Sequence, residues 1–544
     1  MLAGRMMDFP LTLTHFLERV KTFHGRGEVV TRNPDRSLSR TTYADITKRS
    51  ARLAHALTRL GVGPGDRVAT LCWNHARHLE AYLGVPAMGA VLHTLNLRLH
   101  PREIGYIANH AGDRVILVDR SLLKLFRAFK DAVTTLERVI VIGDDGEVEE
   151  ADGLDYEALL AAEAGAFPWP ALDEGSAAMI CYTSGTTGDP KGVVYTHRSM
   201  VLHTLACCMA TVTGVRESDV VLPVVPMFHA SAWGLPYVAV ATGAKLVMPG
   251  PHLDPASLLE LMAKEKVTTA GGVPTIWLGI LALLDQDASR WDLSAMRVML
   301  IGGSAAPPAL IDGFWSRHKL RVVHAWGMTE TSPVGTMAHL KSTMDLDAAG
   351  ELEVRSSQGF PLPFVEQRHA GEDGKVLPWD GQTMGELEVR GPWVASSYLG
   401  DEGADRWTAD GWFKTGDVVT IDAEGYVRIT DRSKDVVKSG GEWISSVALE
   451  NALMAHPAVL EAAVFAAKHE KWSERPLAAV VLKPGQEATK EALYGQLEGK
   501  FTKFWLPDDI LFVEQIPRTS TGKFLKTKLR EQYGEYLVKA KQEA

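Results

Sequence analysis

Residues 183–192, TSGTTGDPKG, are the segment of this chain whose residue types are best suited to chemistry. Three glycines, four hydroxyl side chains and one lysine occur within these ten residues. Glycines let backbone N–H groups converge on an anion, and the hydroxyls and Lys191 add further donors for phosphate oxygens. The segment therefore predicts a triphosphate-binding loop. An ordinary surface connection is the alternative, because Gly, Ser and Thr cluster there too.

Two common nucleotide-binding signatures do not fit the glycine-rich segments. Neither residues 183–192 nor residues 521–524, TGKF, match the pattern G-x-x-x-x-G-K-[ST]. Residues 61–65, GVGPG, lack the third glycine of a dinucleotide fingerprint and precede a strand-like segment, so we interpret them as a turn. These mismatches disfavour a generic nucleoside triphosphatase and a nicotinamide dehydrogenase.

The elements around the loop predict parallel α/β layers. The apolar residues 177–182, AAMICY, predict a buried strand that ends where the loop begins. Farther along, short β-branched runs alternate with longer helical patterns, which is typical of layered α/β folds. Pro255 and Pro274 fall where helices would begin, a position that tolerates proline. The alternating segments are residues 245–248, 254–264, 268–270, 274–284 and 297–301.

The pattern changes after about residue 350, where a smaller β-rich subdomain is predicted. Residues 386–390 alternate in polarity, and residues 418–430 predict a hairpin. The acidic residues 143–153 predict a loop, and a compact α+β unit follows Arg432. The expected fold class is α/β, with a large N-terminal domain of several subdomains, mostly parallel sheets and the β-rich part. A small, mobile α+β domain completes the chain.

Composition sets broad limits on function. A chain of 544 residues with 46% hydrophobic content can bury more than one domain core. A net charge of -10 without a long basic run argues against nucleic acid as a partner. Cys72, Cys181, Cys207 and Cys208 show no C-x-x-C pair or disulfide spacing, so we interpret them as core residues. The N-terminal residues do not resemble a signal peptide, and the apolar runs are too short to span a bilayer. We expect a soluble, cytoplasmic protein.

Seven motifs, taken in chain order, resemble those of the adenylate-forming superfamily. That superfamily comprises acyl-CoA synthetases, luciferases and peptide-synthetase adenylation domains. The arrangement is most similar to medium- and long-chain fatty acyl-CoA synthetases and methylmercaptopropionate-CoA ligases. The motifs are residues 183–192, 226–233 (PMFHASAW), 302–307 (GGSAAP), 325–330 (AWGMTE), 411–417 (GWFKTGD), 431–435 (DRSKD) and 517–523 (PRTSTGK).

The resemblance implies an ATP site assembled from several motifs. Asp417 and Arg432 would hold the ribose, and Thr329 would contact the α-phosphate. Trp326 stands where the family often has tyrosine beside the adenine, which keeps an aromatic face and removes a phenolic hydroxyl. From residue type alone, Asp417 also suits a turn. The residues expected to bind ATP or CoA are Thr183, Ser184, Gly185, Thr186, Thr187, Gly188, Lys191, Gly303, Ser304, Ala305, Trp326, Gly327, Met328, Thr329, Asp417, Arg432, Gly440, Gly441, Glu442, Trp443 and Lys523.

The implied chemistry joins two anions. A carboxylate is a poor acyl donor and must first become a mixed anhydride with AMP, so the site has to screen charge and fix geometry. Lys523 is the expected main cation, and Glu330 resembles the family's magnesium carboxylate. The simpler interpretations are a solvated lysine and a carboxylate at a helix start. Together with Thr329 and Lys438, these two residues are the expected catalytic set.

The acyl pocket is expected around residues 226–233. Amino-acid-activating relatives commonly carry aspartate where this chain has His229, so simple carboxylic acids are the expected substrates. We expect His229 to gate the acyl and thiol channel, with a buried structural histidine as the alternative. Trp233, about one helical turn on, would limit the acid to short or medium length if it points inward, and its face suits a thioether. If it points outward, it is only core. Gly302, Gly303 and Pro333 complete the expected acyl site.

A movable lid is the last feature that the resemblance implies. Residues 431–435 would be the hinge, with its pivot at Lys434, between residues 1–433 and residues 434–544. By composition alone they are a charged turn. The lid would carry Lys523, and its paired glycines Gly440 and Gly441 would approach the pantetheine arm of CoA, with Lys438 in thiol transfer. A plain glycine turn is the alternative there.

The predicted function is therefore an ATP-dependent ligase that uses Mg²⁺ and CoA and releases AMP and pyrophosphate. A homodimer is expected from the resemblance. Three other functions stay open: loading of a separate carrier protein, a luciferase-like oxygenase, and a silent nucleotide-binding sensor.

Overall fold

The computed structural model describes residues 2–143, 148–149, 152–183, 189–432, 435–439, 442–518 and 524–542. The first part of the chain alternates helices and strands almost one for one. In order it forms α1 (Thr14–Phe23), β1 (Glu28–Arg32), β2 (Leu38–Thr42), α2 (Tyr43–Arg59), β3 (Arg67–Leu71), α3 (Ala76–Ala87), β4 (Val91–Thr94), α4 (Pro101–Ala111), β5 (Asp113–Asp119), α5 (Leu123–Arg127), β6 (Arg138–Ile142), β7 (Leu154–Asp155), α6 (Tyr156–Ala161), β8 (Ala177–Tyr182), β9 (Gly192–Thr196) and α7 (His197–Cys208).

The middle part continues the alternation. It forms β10 (Val220–Pro223), α8 (Leu235–Thr242), β11 (Lys245–Met248), α9 (Pro255–Glu265), β12 (Thr269–Gly272), α10 (Pro274–Asp287), β13 (Val298–Ile301), α11 (Pro308–His318), β14 (Val322–Gly327), β15 (Val334–Met337), α12 (Ala348–Ser356) and β16 (Phe360–Pro361).

Two mostly parallel sheets result. Sheet A has the strand order β16-β15-β14-β13-β12-β10-β11-β1-β2, and sheet B has the order β7-β6-β5-β3-β4-β8-β9. Sheet A is antiparallel only at its ends, where β2 pairs β1 and β15 pairs both β14 and β16. In sheet B the antiparallel pair is β8 with β9. Parallel strands joined through helices confirm the predicted α/β class.

The remaining elements form two smaller sheets. Sheet C is antiparallel in the order β17-β18-β19-β20, and sheet D has the order β22-β21-β24-β23 with β25 parallel to β24. The elements are β17 (Glu366–Ala370), β18 (Gly385–Arg390), β19 (Phe413–Ile421), β20 (Val427–Arg432), β21 (Val437–Ser439), β22 (Glu442–Ile444), α13 (Ser446–Met454), β23 (Val459–His469), β24 (Ser473–Leu482), α14 (Lys490–Leu497), β25 (Asp509–Phe512), α15 (Lys526–Tyr533) and α16 (Tyr536–Gln542).

Alternate strand residues face separate apolar cores, which makes the fold layered. In sheet A, Val29 and Leu246 belong to the core shared with sheet B, whereas Val30 and Val247 pack with helices α9 to α11. The outer face of sheet B packs with α4 and α5. Sheet D has its own cores with helices α13 to α16. A large N-terminal domain and a smaller C-terminal domain follow from this separation of cores.

Local sequence accounts for several element boundaries. Asp254 caps α9 by accepting a hydrogen bond from the Ser257 backbone N–H at 2.9 Å, and Pro255 occupies the first helical position. Pro274 begins α10 in the same way. The predicted strand at residues 177–182 and the alternating segments from 245 to 301 are confirmed within a few residues. The hairpin predicted at residues 418–430 is β19 and β20.

Two further expectations concern cysteines and membranes. Cys72, Cys181 and Cys207 are buried, Cys208 is half-buried, and all four are unbridged. Among the described helices, none is long and apolar enough to cross a membrane. Of the loop predicted at residues 143–153, residues 144–147 and 150–151 lie outside the described residues.

Candidate active site

A cavity of about 520 Å³ lies where the carboxyl ends of β13 and β14 face sheet C. Ligand sites in open α/β sheets occur at this end of the strands. The walls of the cavity contain residues from six of the seven sequence motifs. The seventh is residues 517–523, of which 519–523 lie outside the described residues. The predicted residues that line the cavity are Thr183, Lys191, His229, Trp233, Gly302, Gly303, Trp326, Gly327, Met328, Thr329, Glu330, Pro333 and Arg432.

Trp326 joins sheet A to sheet C. Its indole Nε1 donates a hydrogen bond to Asp417 Oδ2 at 2.8 Å, and its ring packs with Leu387 and Phe413 of sheet C. Both Trp326 and Asp417 are buried. The indole N–H therefore gives this position a polar group, directed at a carboxylate.

Arg432 lines the cavity and forms an ion pair with Asp417, which is buried behind it and does not itself line the cavity. The two residues are register partners on β19 and β20, and Arg432 Nε lies 2.7 Å from Asp417 Oδ1. Among the described residues, no donor makes a well-aligned hydrogen bond to Oδ1. The carboxylate therefore orients the Arg432 guanidinium at the cavity wall, and direct contact of Asp417 with a ribose stays a prediction.

Glu330 presents a buried carboxylate immediately after β14. It lies in a 3₁₀ turn, Thr329–Thr331, and is 5% exposed. Its Oε1 accepts a hydrogen bond from the Tyr398 hydroxyl at 2.5 Å. Burial, with the nearby Glu330 charge, raises the pKa of Tyr398 far above its usual range. The hydroxyl therefore stays protonated and fixes the carboxylate at neutral pH.

The backbone of this turn is held from two sides. Tyr195 donates from its hydroxyl to the Thr329 carbonyl at 2.7 Å, and the Ala395 N–H donates to the Glu330 carbonyl at 2.8 Å. The two carbonyls lie on either side of the Glu330 Cα. The bonds therefore fix the backbone that directs the Glu330 side chain. Glu330 is therefore preorganised with respect to the cavity.

Lys191 lies beside the same tyrosine. Its Nζ is 5.2 Å from the centre of the Tyr398 ring, within range of a cation–π contact. The Thr183 N–H donates to the Lys191 carbonyl at 2.9 Å, and the Lys191 N–H donates to Thr183 Oγ1 at 3.0 Å. These two bonds close the base of the predicted phosphate loop, which connects β8 to β9. Ser184, Gly185, Thr186, Thr187 and Gly188 lie outside the described residues.

Trp233 points into the cavity. A Cβ added at Gly302 or Gly303 would lie 3.3 or 3.7 Å from its indole, so these glycines let the ring approach the end of β13. The expected helical turn is present as a short 3₁₀ segment, but its backbone is left-handed. Trp233 has φ +57° in a 3₁₀ segment, Ala230–Gly234, and this left-handed backbone directs the indole inward.

His229 and Pro333 also face the cavity. The His229 N–H donates to the Pro226 carbonyl at 3.0 Å, which closes a turn before the Trp233 segment. His229 and Trp233 therefore belong to the same part of the chain and both line the cavity. Its role as a gate stays a prediction.

Some predicted residues lie away from the cavity. Lys438 Nζ pairs with Glu372 Oε1 at 2.7 Å and lies 5.2 Å from the centre of the Trp443 ring. Ser304 is exposed and Ala305 is half-buried, and neither lines the cavity. The predictions for Lys434, Gly440, Gly441 and Lys523, and for the side chain of Glu442, fall outside the described residues.

Sequence reasoning missed several polar residues in the wall. Tyr398, Arg406, Lys414 and Glu386 all line the cavity. Arg406 donates from Nε and Nη2 to the Lys414 carbonyl at 3.0 and 2.6 Å, and Glu386 Oε1 accepts from the Gly416 N–H at 3.0 Å. Glu386 and Lys414 belong to segments that the sequence had marked as a strand and a motif. Tyr398 and Arg406 stand in loops, where no local pattern indicates a partner.

Comparison with known proteins agrees with this geometry. The family model described as AMP-binding enzyme matches residues 16–399, and the model for the AMP-binding enzyme C-terminal domain matches residues 448–523. The chain is 51% identical over 535 residues to a long-chain-fatty-acid–CoA ligase of Thermus thermophilus, covering 98% of this chain and 97% of that protein. It is 44% identical over 541 residues to a 3-methylmercaptopropionyl-CoA ligase of Ruegeria pomeroyi, covering 98% and 99%.

A solved structure shows the same fold. The crystal structure of the anthranilate CoA ligase AuaEII in complex with anthranoyl-AMP matches with a TM-score of 0.86 at 26% identity, over 96% of this chain and 98% of that one. The family model covers more than half of the chain, and relatives above 30% identity cover nearly all of it. The chain therefore belongs to the AMP-binding enzyme family, whose adenylate-forming members it resembles in sequence and fold.

Proposed function

We propose that this protein is an AMP-forming acyl-CoA ligase. It converts a carboxylic acid and ATP to acyl-AMP and pyrophosphate, then transfers the acyl group to CoA with release of AMP. The observation that carries the proposal is one cavity lined by Lys191, Glu330 and Arg432, the last of which is ion-paired to the buried Asp417. The two relatives named above, both CoA ligases by name and matched over nearly their whole length, support it.

We propose one orientation for ATP in the cavity. Arg432, with Asp417 behind it, would hold the ribose, and the base would lie beside Trp326. The triphosphate then extends towards Lys191 and Thr329, at the far side of the Glu330 turn. Residues 184–188 complete the phosphate contacts in this proposal.

Magnesium fits the same end of the cavity. Mg²⁺ prefers oxygen ligands and keeps several waters, so one carboxylate together with phosphate oxygens is sufficient coordination. Glu330 supplies that carboxylate, and Tyr398 orients it from behind. A bound magnesium ion would neutralise charge on the phosphate oxygens and help to orient them.

The first reaction needs one further cation. The substrate carboxylate attacks the α-phosphorus in line with the departing pyrophosphate, and both reactants are negatively charged. Lys191 lies on the phosphate side of the cavity. We propose that Lys523 reaches from the C-terminal domain to the oxygens between the carboxylate and the α-phosphate and stabilises the charge that develops there.

A change of lid orientation separates the two reactions in this proposal. The large domain comprises residues 1–433 and the lid residues 434–544, with the pivot at Lys434. In the orientation described here, Lys438 contacts Glu372, which lies between β17 and β18 of sheet C. Lys438 is therefore away from the cavity. A rotation about the pivot would replace Lys523 by the segment from Lys438 to Trp443, whose glycines admit the pantetheine arm.

The preferred acid is of short to medium chain length, and 3-methylthiopropionate is one candidate. The inward indole of Trp233 supports this preference, because it closes the cavity beside Gly302 and offers a polarizable face to a thioether. His229 carries no negative charge that could pair with the ammonium group of an amino acid. It gates the passage of acyl and thiol groups in this proposal.

The homodimer and the cytoplasmic location are also proposals. Leu2, Met6, Met7 and Phe9 expose apolar side chains near the start of the described chain and offer surface for contact with a second copy.

The activity is tested by measuring pyrophosphate release with a panel of acids from acetate to palmitate, including 3-(methylthio)propionate, with and without CoA. We expect release only when an acid and ATP are both present, with the highest kcat/KM for short to medium chains. AMP and a thioester should accumulate when CoA is added. A preference for palmitate would contradict the proposed chain length but not the activity.

The other functions give different results in the same assay. Carrier loading would leave CoA inert, an oxygenase would consume dioxygen, and a sensor would bind ATP without releasing pyrophosphate. Absence of pyrophosphate release with every acid would overturn the proposal.

Lys523→Ala should separate the two reactions. Loss of a preorganised charge commonly lowers a rate by roughly 10²- to 10³-fold, so acyl-AMP formation should fall by about that factor. Formation of the thioester from synthetic acyl-AMP should be spared. The control is Lys528→Ala, which removes an exposed lid lysine paired with Glu531 at 2.9 Å and should leave both rates unchanged. Equal damage to both reactions by Lys523→Ala would contradict the role.

Trp233→Ala should shift substrate preference towards longer acids. Removing the indole deepens the cavity beside Gly302, and each additional buried methylene contributes about 0.8 kcal/mol. The measurement is kcat/KM across the acid panel. Trp315→Ala, which truncates a tryptophan that is 44% exposed on α11, is the matched control. An unchanged chain-length profile would place Trp233 outside the acyl pocket.

Tyr398→Phe should weaken magnesium activation. The change removes the hydroxyl that fixes Glu330, and loss of such a partner typically costs about 10- to 100-fold in metal affinity. The half-saturating Mg²⁺ concentration for pyrophosphate release should rise accordingly. Tyr494→Phe, which deletes a lid hydroxyl bonded to the Pro507 carbonyl at 3.0 Å, should leave it unchanged. A normal Mg²⁺ dependence in Tyr398→Phe would separate Glu330 from the metal.

A further inference from the structure

A buried polar cluster lies where sheet C meets the C-terminal domain. Asp431, near the end of β20, is 1% exposed, and its Oδ2 accepts a hydrogen bond from the Ser446 N–H at 2.8 Å. Ser446 begins α13, so the carboxylate sits at the positive end of that helix. The residues that precede these two partners are also bonded, because the Ser445 hydroxyl donates to the Thr430 carbonyl. The last residues of β20 thus cap the first turn of α13.

Lys526 brings a positive charge into this cluster. It begins α15, is 7% exposed, and places Nζ 2.6 Å from Glu450 Oε1. The same ammonium donates to the Ser446 hydroxyl. Ser446 therefore connects the two charges, with its N–H on Asp431 and its hydroxyl on Lys526.

The charges in the cluster depend on one another. Burial raises the pKa of Asp431, and the Lys526 charge partly offsets this effect. Burial also raises the pKa of Glu450, to about 7, again opposed by Lys526. The pKa of Lys526 is raised, because Glu450 and Asp431 outweigh the opposite effect of burial. Two carboxylates thus share one buried ammonium.

The partners of this cluster lie on opposite sides of the proposed pivot. Asp431 precedes residue 434, whereas Ser446, Glu450 and Lys526 follow it. A second pair, Asp435 Oδ1 with Arg530 Nη2 at 2.8 Å, lies wholly on the lid side. Lys526 and Arg530 are one helical turn apart on α15, so one helix face carries both the ammonium that pairs with Glu450 and the guanidinium that pairs with Asp435.

Rotation about the pivot affects these contacts unequally. The pairs Lys526–Glu450 and Arg530–Asp435 would travel with the lid. The contacts of Asp431 with α13, and its attraction to Lys526, cross the pivot and would have to break. Lys526 is also only three residues after Lys523.

We propose that Asp431 is a positioning residue: by capping α13 and attracting Lys526, it holds the lid in the orientation described here and selects between the two half-reactions. This inference rests on the proposed two-step ligase. Asp431 touches no reacting atom in it and acts through α13 and α15. Its release accompanies the change of orientation.

The test is Asp431→Asn with the half-reactions measured separately. Adenylate formation is followed as acid-dependent exchange of pyrophosphate into ATP without CoA, and thiolation as thioester formed from synthetic acyl-AMP. Asparagine keeps an acceptor for the Ser446 N–H but removes the charge that attracts Lys526. The ratio of the two rates should change by about five-fold or more, because only one orientation loses the negative charge of Asp431 on the Ser446 N–H at the start of α13. The slower half-reaction identifies the orientation that Asp431 holds.

The matched control is Asp435→Asn, four residues later, whose contact with Arg530 stays within the lid. It should leave the ratio of the two rates unchanged. An unaltered ratio in Asp431→Asn, or an equal loss of both rates, would overturn the proposal. Thermal unfolding of each variant identifies a general loss of stability.

Ser445→Ala provides a second, milder variant in case Asp431→Asn does not fold. It removes the hydroxyl that donates to the Thr430 carbonyl across the pivot, next to the Asp431 contact. The ratio should move in the same direction as with Asp431→Asn, by a smaller factor, and an unchanged ratio would count against the proposal. If the wild-type chain makes no acyl-AMP from any acid, the ligase proposal fails. If it does and the ratio is insensitive, only the role of Asp431 fails.

Discussion

The hydrogen bond from Trp326 to Asp417 is the interaction on which the rest of the site depends. It joins the end of a parallel strand in sheet A to an antiparallel strand in sheet C, and both partners are buried. A buried carboxylate without donors would be costly, so the indole N–H stabilises the contact between the sheets. The cavity is the space that this contact leaves beside it. Arg432, the register partner of Asp417, ends β20, directly before the proposed hinge.

Charge balance explains why the site needs a separate lid. Glu330 and Asp417 are fixed carboxylates, and each already has a partner from the large domain, Tyr398 or Arg432. A nucleotide and an organic acid add further negative charge. Lys191, held near Tyr398 by the phosphate loop, lies on one side of the cavity only. Arg406, Lys414 and Arg432 also line the cavity, and in the proposed reaction the C-terminal domain adds a further cation near the reacting oxygens.

Local patterns predicted the layered fold well. Alternating β-branched and helical segments gave the strands and helices between residues 245 and 301, because each strand there is buried on both faces and each helix begins with a capping residue or proline. The motifs also marked most of the cavity wall. What they could not give was the direction of side chains in irregular segments. Trp233 points inward because its backbone angle is left-handed. The neighbouring residue types do not indicate this conformation, and an ordinary helical turn was expected.

Tyr398 shows the second limit of local patterns. Its partner, Glu330, is 68 residues away, and only the packing of sheet C against sheet A brings them together. Arg406 is a similar case. Its guanidinium donates to the backbone carbonyl of Lys414, and because every residue type has such a carbonyl, the sequence does not indicate the partner. For Lys523 and the centre of the phosphate loop, sequence resemblance is the source of the assignment. These residues stay predictions that rest on the motif and not on contacts.

The two half-reactions make conflicting demands on the space above the α-phosphate. The first needs a cation close to two anionic oxygens, whereas the second needs an open path for a thiol to the acyl carbon. A rigid wall that met the first demand would block the second. Asp431 bonds the start of α13 and Asp435 pairs with Arg530 of α15, on either side of the proposed pivot, so in the proposal the lid exchanges part of its contacts while its own core stays intact. A hinge bordered by one contact that breaks and one that persists allows a large change in position without unfolding either domain.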